Sequence, residues 1–307
     1  MLVSSLAALA LAFSTLGAPA PAPAPAAVDI EARGAPTNGI NDYNCRATPG
    51  KDPILFLHGL NGPAGLNWIT KAPIFSAKGY CTYTPQYGTV NGIILGGAAV
   101  EDSTAQISAV VDKILATSGA SKINIVGHSL GTLVTSYYLK YAGGANKVAN
   151  FVGIGPVVRG TTLYGIGELI RAIPGGEEVA KAICKSCDQL VAPNAFLNHL
   201  QQGGIKVPGP TYTLIASKLD AVVVPYTNGF IYENGVTNIA IQDHCGLDIS
   251  GHISQVIDPN VTELILWALK GRQGGLPSCL PFLVPGKRDV SPEVTDPNAP
   301  SVYFPSG

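Results

Sequence analysis

Short apolar segments alternate along the chain with longer segments whose apolar residues recur at helical spacing. Residues 100–118 predict a helix, because Ile107, Val110 and Ile114 fall on one face and Gly119 follows as a stop. Further helices are predicted over residues 130–142 and over residues 259–270, the latter with Asp258 as N-cap. The apolar segments predict strands at residues 53–57, 81–87, 122–126, 147–154, 211–216 and 238–242. Strands that alternate with helices in this order predict an α/β protein with a mostly parallel central sheet.

The pattern changes between residues 155 and 210, where Gly and Pro separate short apolar pieces. This stretch predicts a cap-like insertion over one face of the folded domain, which we place at residues 45–284. Residues 27–44 are expected to form an N-terminal linker, and residues 285–307, rich in Pro, Asp and Ser, a disordered tail. Candidate wall residues for an apolar channel in the insertion are Leu163, Ile166, Leu169, Ile170 and Ile173.

The first 26 residues have the composition of a secretory signal followed by the start of an Ala/Pro linker. We therefore expect the protein to be exported. After these residues no apolar run approaches the ~20 residues that a transmembrane helix needs, so we expect the exported protein to be soluble and without a membrane anchor. We also expect it to be a monomer. Charged residues make up 13% of the chain and the net charge is −1, so no basic field is available for nucleic acid. A nucleic-acid-binding function is therefore excluded.

The segment Gly127-His128-Ser129-Leu130-Gly131 joins a predicted strand to a predicted helix. In a nucleophile elbow the serine occupies a strained backbone conformation at this turn, and the two glycines prevent collisions between neighbouring elements. The hydroxyl then stands exposed above the sheet. Ser129 is the one serine of the chain in a G-x-S-x-G pattern, so we predict that it is a nucleophile.

A serine hydroxyl needs a histidine that accepts its proton and an acid that orients the imidazole. After such an elbow the acid and then the histidine follow on loops at the carboxyl ends of later strands. Asp220 follows the strand at residues 211–216, and His252 lies between the last strand and the last helix. His244 is the alternative histidine. The alternative acids, which are more typical of loop or turn positions, are Asp243 and Asp248.

An acyl-transfer site also needs backbone N–H groups that stabilise the developing oxyanion. One is usually the amide after the nucleophile, and the other comes from the loop after an earlier strand. These rules predict the amides of Leu130 and Leu60. The glycines in the segment His58-Gly59-Leu60-Asn61-Gly62 allow the backbone to approach a substrate closely.

The six cysteines favour an oxidising compartment and three disulfides, for which fifteen pairings are possible. Their order along the chain reduces the choice. Cys45 and Cys81 flank the first strand, and Cys245 and Cys279 bracket the last helix. Cys184 and Cys187 are close enough for a local bridge, which we prefer to a redox motif or half of a zinc site.

Four segments together resemble the secreted class 2 lipases of the α/β-hydrolase fold, and more distantly the lipase B-type enzymes. They are Leu55-Phe56-Leu57-His58-Gly59-Leu60, Gly127-His128-Ser129-Leu130-Gly131, Pro156-Val157-Val158-Arg159-Gly160-Thr161 and Cys245-Gly246-Leu247-Asp248-Ile249-Ser250-Gly251-His252. The similarity extends over about residues 45–279.

The resemblance implies hydrolysis of triacylglycerols or related acyl esters, without a cofactor or metal, by Ser129, Asp220 and His252. It also implies the bridges Cys45–Cys81 and Cys245–Cys279 and an oxyanion hole that contains the Leu60 and Leu130 amides. A short-chain esterase, a polyesterase or an acyltransferase would use the same triad, and a non-catalytic binding protein could keep the fold. Two processing sites are also predicted: a glycosylation sequence at Asn260 and a dibasic cleavage site at Lys287-Arg288.

Overall fold

The computed structural model describes residues 39–162 and 184–280. The predicted signal segment, the candidate wall residues between 163 and 173 and the C-terminal tail therefore lie outside the described residues. Within them, six strands form one parallel sheet in the order β2-β1-β3-β4-β5-β6. The strands are β1 (Ile54–Leu57), β2 (Thr82–Tyr83), β3 (Ile123–His128), β4 (Val148–Ile154), β5 (Thr211–Ala216) and β6 (Val236–Ala240).

Helices cover both faces of this sheet. They are α1 (Ala64–Asn67), α2 (Lys71–Ala77), α3 (Val100–Ser118), α4 (Leu130–Tyr141), α5 (Lys185–Leu190), α6 (Ala195–Gln201), α7 (Ile241–His244) and α8 (Pro259–Leu269). The predicted bounds of α3 are those observed, and Gly119 ends it with a φ of 75°. Asp258 caps α8 by accepting a hydrogen bond from the Asn260 amide, as predicted. None of the helices among these residues is long and apolar enough to span a membrane.

The alternation of side chains along β1 explains the two cores. Leu55 and Leu57 pack with residues of α3 and α4 on one face, while Ile54 and Phe56 pack with residues of α2 and α8 on the other. All four side chains are fully buried. The fold is thus a parallel sheet between two helical layers, which places the carboxyl ends of the strands along one edge.

Three strand predictions differ from the structure by two residues or more at one end, and one of them is the strand predicted at residues 122–126, which continues to His128. The predicted strand at residues 81–87 pairs only at Thr82–Tyr83, because the amide of Thr84 donates to the Asn41 side chain and Pro85 has no N–H. The last strand is Val236–Ala240 and not residues 238–242, since Ile241 begins α7. Residues 39–44, assigned to the linker, contact the sheet edge, where the Asn41 amide donates to Thr82 O at 2.8 Å.

Three disulfides are present in the pairing that the sequence predicts. Cys45–Cys81 fixes the segment before β1 to the residue before β2, and Cys245–Cys279 fixes the end of α7 to the segment after α8. Cys184–Cys187 closes the turn at the start of α5. All six cysteines are paired, so none is left as a free thiol.

Candidate active site

Ser129 lies at a sharp turn between β3 and α4, with φ 51° and ψ −120°. A positive φ is costly for a residue with a Cβ and is tolerated where the surrounding structure fixes it. Gly127 and Gly131, two residues before and two residues after Ser129, permit this turn. A Cβ on Gly131 would lie 2.4 Å from Leu57 O, and a Cβ on Gly127 would lie 2.8 Å from the backbone of Gly131. The strained geometry predicted for the elbow is therefore present.

Asp220 and His252 form a direct hydrogen bond. The Asp220 Oδ2 atom lies 2.7 Å from His252 Nδ1, and both side chains are buried. The other carboxylate oxygen accepts hydrogen bonds from the amides of Val222 and Val223, each at 2.8 Å. Because a carboxylate can only accept, Nδ1 of His252 is the donor in this hydrogen bond, and Nε2 is the ring nitrogen left for a second partner.

Ser129 and His252 line one cavity of about 540 Å³. A cavity of this volume is large enough for a small organic ligand. Among the described residues no hydrogen bond joins the Ser129 hydroxyl to the His252 imidazole, a contact that in unliganded hydrolases is often long and tightens with substrate. Most of the wall is apolar, with the side chains of Leu60, Leu66, Val157, Leu190, Val191, Val222, Val223, Ile253 and Val256.

The amides of Leu60 and Leu130 have no hydrogen-bond partner within residues 39–162 and 184–280. Leu130 is the first residue of α4, where helix geometry leaves the N–H groups unpaired. The loop with Leu60 is fixed by its neighbour, since the Asn61 amide donates to Leu95 O at 2.8 Å and Asn61 Oδ1 accepts from the Leu95 amide at 3.2 Å. Two free donors are thus held beside the cavity.

Two further histidines lie next to the site, and burial keeps both of them neutral. Burial lowers the pKa of His58 to about 4, and that of His128 to about 3, the latter also under the influence of His252. The His128 imidazole lies between the Asn67 side chain and the backbone of His252, with Nε2 3.1 Å from His252 O. The His128 ring thus connects the Asn67 side chain with the loop that carries His252. No local sequence pattern indicates this contact, because the two residues are 124 positions apart.

The alternative triad residues lie elsewhere. The Nε2 atom of His244 is 2.6 Å from Pro277 O, and Asp243 forms an ion pair with Lys218 at the surface. Asp248 is buried, and its Oδ1 accepts hydrogen bonds from the amide and hydroxyl of Ser250. Asp248 is therefore a turn-forming residue, as its sequence position suggests, and its side chain is buried.

Asn260 is not accessible in the folded protein. Its side chain is buried, its Nδ2 donates to Asp248 Oδ2 at 2.8 Å and to Leu280 O at 3.0 Å, and its Oδ1 accepts from the Leu280 amide. A glycan on Nδ2 would remove these contacts. The glycosylation expected from the sequence pattern is therefore incompatible with this conformation of the side chain.

One cluster of potential metal ligands occurs among the described residues, at His244, Cys245 and Cys279. The two cysteines form a disulfide, so their sulfur atoms are not thiolates and cannot act as metal ligands. The described residues around Ser129 offer no comparable ligand cluster.

Comparisons with known proteins point to one family. Residues 51–261 match the model of the family described as Lipase (class 2). A triacylglycerol lipase of Vibrio cholerae is 29% identical over 147 residues, which are 45% of this chain and 43% of that protein. The chain thus spans less than half the length of this curated relative.

Solved structures show the same fold. The lipase B of Aspergillus fumigatus superposes with a TM-score of 0.59 at 21% identity, over 74% of this chain and 54% of that chain. The propeptide form of the Bacillus licheniformis lipase BlEst2 gives a TM-score of 0.53 at 18% identity, over 77% and 54% of the two chains. At this identity the likeness concerns the α/β-hydrolase fold alone.

Proposed function

Because the chain belongs to the class 2 lipase family, we propose that it cleaves carboxylic esters of lipids through an acyl-enzyme intermediate on Ser129. The observation that carries the proposal is the buried Asp220–His252 hydrogen bond beside Ser129 in a largely apolar cavity. A protein that only binds a ligand has no need of an oriented imidazole next to a strained serine.

The proposed reaction has two half-reactions. His252 Nε2 takes the proton of the Ser129 hydroxyl while Oγ attacks the ester carbonyl, and the amides of Leu60 and Leu130 stabilise the negative oxygen that forms. The imidazolium then gives its proton to the departing alcohol, and Asp220 stabilises the imidazolium charge. Water repeats the sequence on the acyl-enzyme, which releases the acid and restores Ser129.

The wall of the cavity supports a lipid ester over a polar ester. Apolar side chains bury an acyl chain at a gain of about 0.8 kcal/mol per CH₂, whereas a short acetyl group gains little. We therefore propose triacylglycerols or related long-chain esters as substrates. We also propose that the chain acts as a monomer. A short-chain esterase, a polyesterase or an acyltransferase would differ in which acyl donor or acceptor gives the highest turnover.

Exposed apolar side chains next to the cavity support adsorption to an oil–water interface. Leu66 and Ile253 line the cavity and yet are 64% and 67% exposed. Ile69, which follows α1, is 57% exposed and does not line the cavity. Clusters of exposed apolar residues on one face are typical of surfaces that bind another apolar phase. The three disulfides support an extracellular setting for such an interface.

Hydrolysis of emulsified long-chain triacylglycerol, compared with hydrolysis of a soluble acetate ester, tests the substrate class. We expect the emulsion to be the better substrate.

Ile69→Ser should lower the rate on the emulsion by up to roughly tenfold, since half-burial of an isoleucine is worth about 1.4 kcal/mol, and leave the rate on the soluble ester unchanged. Leu276→Ser, at an exposed position outside the cavity wall, is the matched control. Faster turnover of the soluble ester would favour the esterase alternative.

A further inference from the structure

Ser217 lies directly after β5 and is completely buried. Its hydroxyl takes part in three hydrogen bonds. It donates to Ser250 O at 2.5 Å, and it accepts from the Leu219 amide and from Gln242 Nε2, each at 3.0 Å. One donated and two accepted hydrogen bonds use the full capacity of a hydroxyl group. The sequence alone gives no role to this residue.

These contacts join the two loops that carry the acid and the base. Ser217 stands three residues before Asp220, and the Asp220 amide donates to Ser217 O at 3.2 Å. Its partner Ser250 stands two residues before His252. A movement of Ser217 relative to Ser250 would therefore change the distance between the Asp220 carboxylate and the His252 imidazole.

Two neighbours make this connection rigid. Gln242 Nε2 also donates to Asp248 O at 3.2 Å, and Gln242 Oε1 accepts from the Lys218 amide at 2.8 Å. On the other side, Asp248 Oδ1 accepts from the Ser250 amide at 2.8 Å. The acid loop and the histidine loop are thus fixed to a common set of polar groups, and the Ser217–Ser250 hydrogen bond links them directly in addition to the Asp220–His252 hydrogen bond.

We propose that Ser217 is a positioning residue that sets the Asp220–His252 hydrogen bond. The inference rests on the proposed function, because the bond matters for turnover only if His252 is the base. Removal of the hydroxyl would take a hydrogen-bond partner from three groups in a buried region, namely Ser250 O, the Leu219 amide and Gln242 Nε2. Reorientation of these groups would move both loops, and small displacements of catalytic groups reduce turnover strongly.

The test compares Ser217→Ala with Ser118→Ala. Ser118 is also buried and also accepts a hydrogen bond from the amide two residues later, but it lies at the end of α3, outside the cavity wall. We expect Ser217→Ala to lower kcat on a soluble ester by about 10- to 100-fold with KM within about threefold of the wild type. Ser118→Ala should leave both constants unchanged, although both variants lower the melting temperature.

A second readout does not depend on ester hydrolysis. The proton between His252 Nδ1 and Asp220 Oδ2 should give a low-field proton NMR signal, which Asp220→Asn identifies by its loss. Ser217→Ala should shift or broaden this signal, Ser118→Ala should not, and Ser217→Thr, which keeps the hydroxyl, should restore it. If Ser217→Ala does not fold, Gln242→Met removes one contact to the same hydroxyl, and we expect it to shift the signal and lower kcat in the same direction.

The inference would be overturned if the NMR signal of Ser217→Ala is unchanged and its kcat stays within about threefold of the wild type. If Ser217→Ala is unfolded, the same result for Gln242→Met would overturn it. A wild-type protein that hydrolyses no ester would contradict the proposed function instead, and the NMR comparison would still decide whether Ser217 positions the pair.

Discussion

Lys71 gives a quantitative prediction about stability, because its ammonium group is buried at the start of α2. Its Nζ donates to Asp258 O and to Thr262 Oγ1, each at 2.9 Å. Burial lowers the pKa of Lys71 to about 7, although the negative charge of Asp258 opposes the effect. The contact ties α2 to the N-terminus of α8, the helix that follows the His252 loop.

The sign and the size of the pH dependence follow from this pKa. In the unfolded chain Lys71 should titrate near its ordinary pKa of 10.5. Between pH 7 and pH 10 the unfolded chain therefore holds a proton that the folded protein has released, so the free energy of unfolding rises with pH. At 1.36 kcal/mol per pKa unit, the wild-type protein should gain roughly 3–4 kcal/mol over this interval.

Urea denaturation of the wild type and of Lys71→Met at intervals between pH 7 and pH 10 measures this gain. Ionisations that are common to both proteins cancel in the difference, and the absence of free thiols prevents disulfide exchange at high pH. We expect the wild type to become more stable relative to Lys71→Met as the pH rises. Two curves that stay parallel to within about 1 kcal/mol would refute the argument, since Lys71 would then carry the same charge in both states.

Three further predictions concern the proposed triad, a disulfide and the C-terminal residues. Asp220→Asn should lower kcat by about 10⁴-fold in ester hydrolysis assays, whereas Asp243→Asn, which removes an exposed ion pair, should have little effect. Replacement of Cys45 and Cys81 by alanine should lower the free energy of unfolding by about 4 kcal/mol in urea titrations, because the bridge closes a loop with a separation of 36. Removal of residues 289–307 should leave activity and melting temperature unchanged, and intact-mass analysis of secreted protein should show cleavage after Arg288. A large loss of stability on truncation would mean that the tail packs on the domain.

Local pattern predicted most elements of the sheet and its helices. The strand Ile54–Leu57 is buried on both faces, so it is visible as a continuous apolar run. The helix Val100–Ser118 is buried on one face, so its apolar residues recur at helical spacing. The second strand was predicted too long, since nothing local reveals that Thr84 and Tyr87 donate to the side chains of Asn41 and His58 instead of a neighbouring strand.

The geometry of the candidate site was predictable where motif and chain order determine it. The glycines around Ser129 and the order of Asp220 and His252 follow from steric and topological rules that act within one element or one sheet. The contacts of Ser217 and His128 join residues that lie 33 and 124 positions apart, and neither has a local signature. The polar network that fixes the loops of Asp220 and His252 therefore becomes visible only in the folded chain.

Reaction with a fluorophosphonate probe tests the central claim most directly, because only a serine activated by a neighbouring base attacks such a probe readily. Peptide mapping of the wild-type protein should locate a single adduct on Ser129. Ser129→Ala should remain folded, take up no label and lose turnover by up to roughly 10⁶-fold. An adduct on another residue, an unlabelled wild-type protein, or near-normal ester hydrolysis by Ser129→Ala would contradict the assignment of Ser129 as the nucleophile.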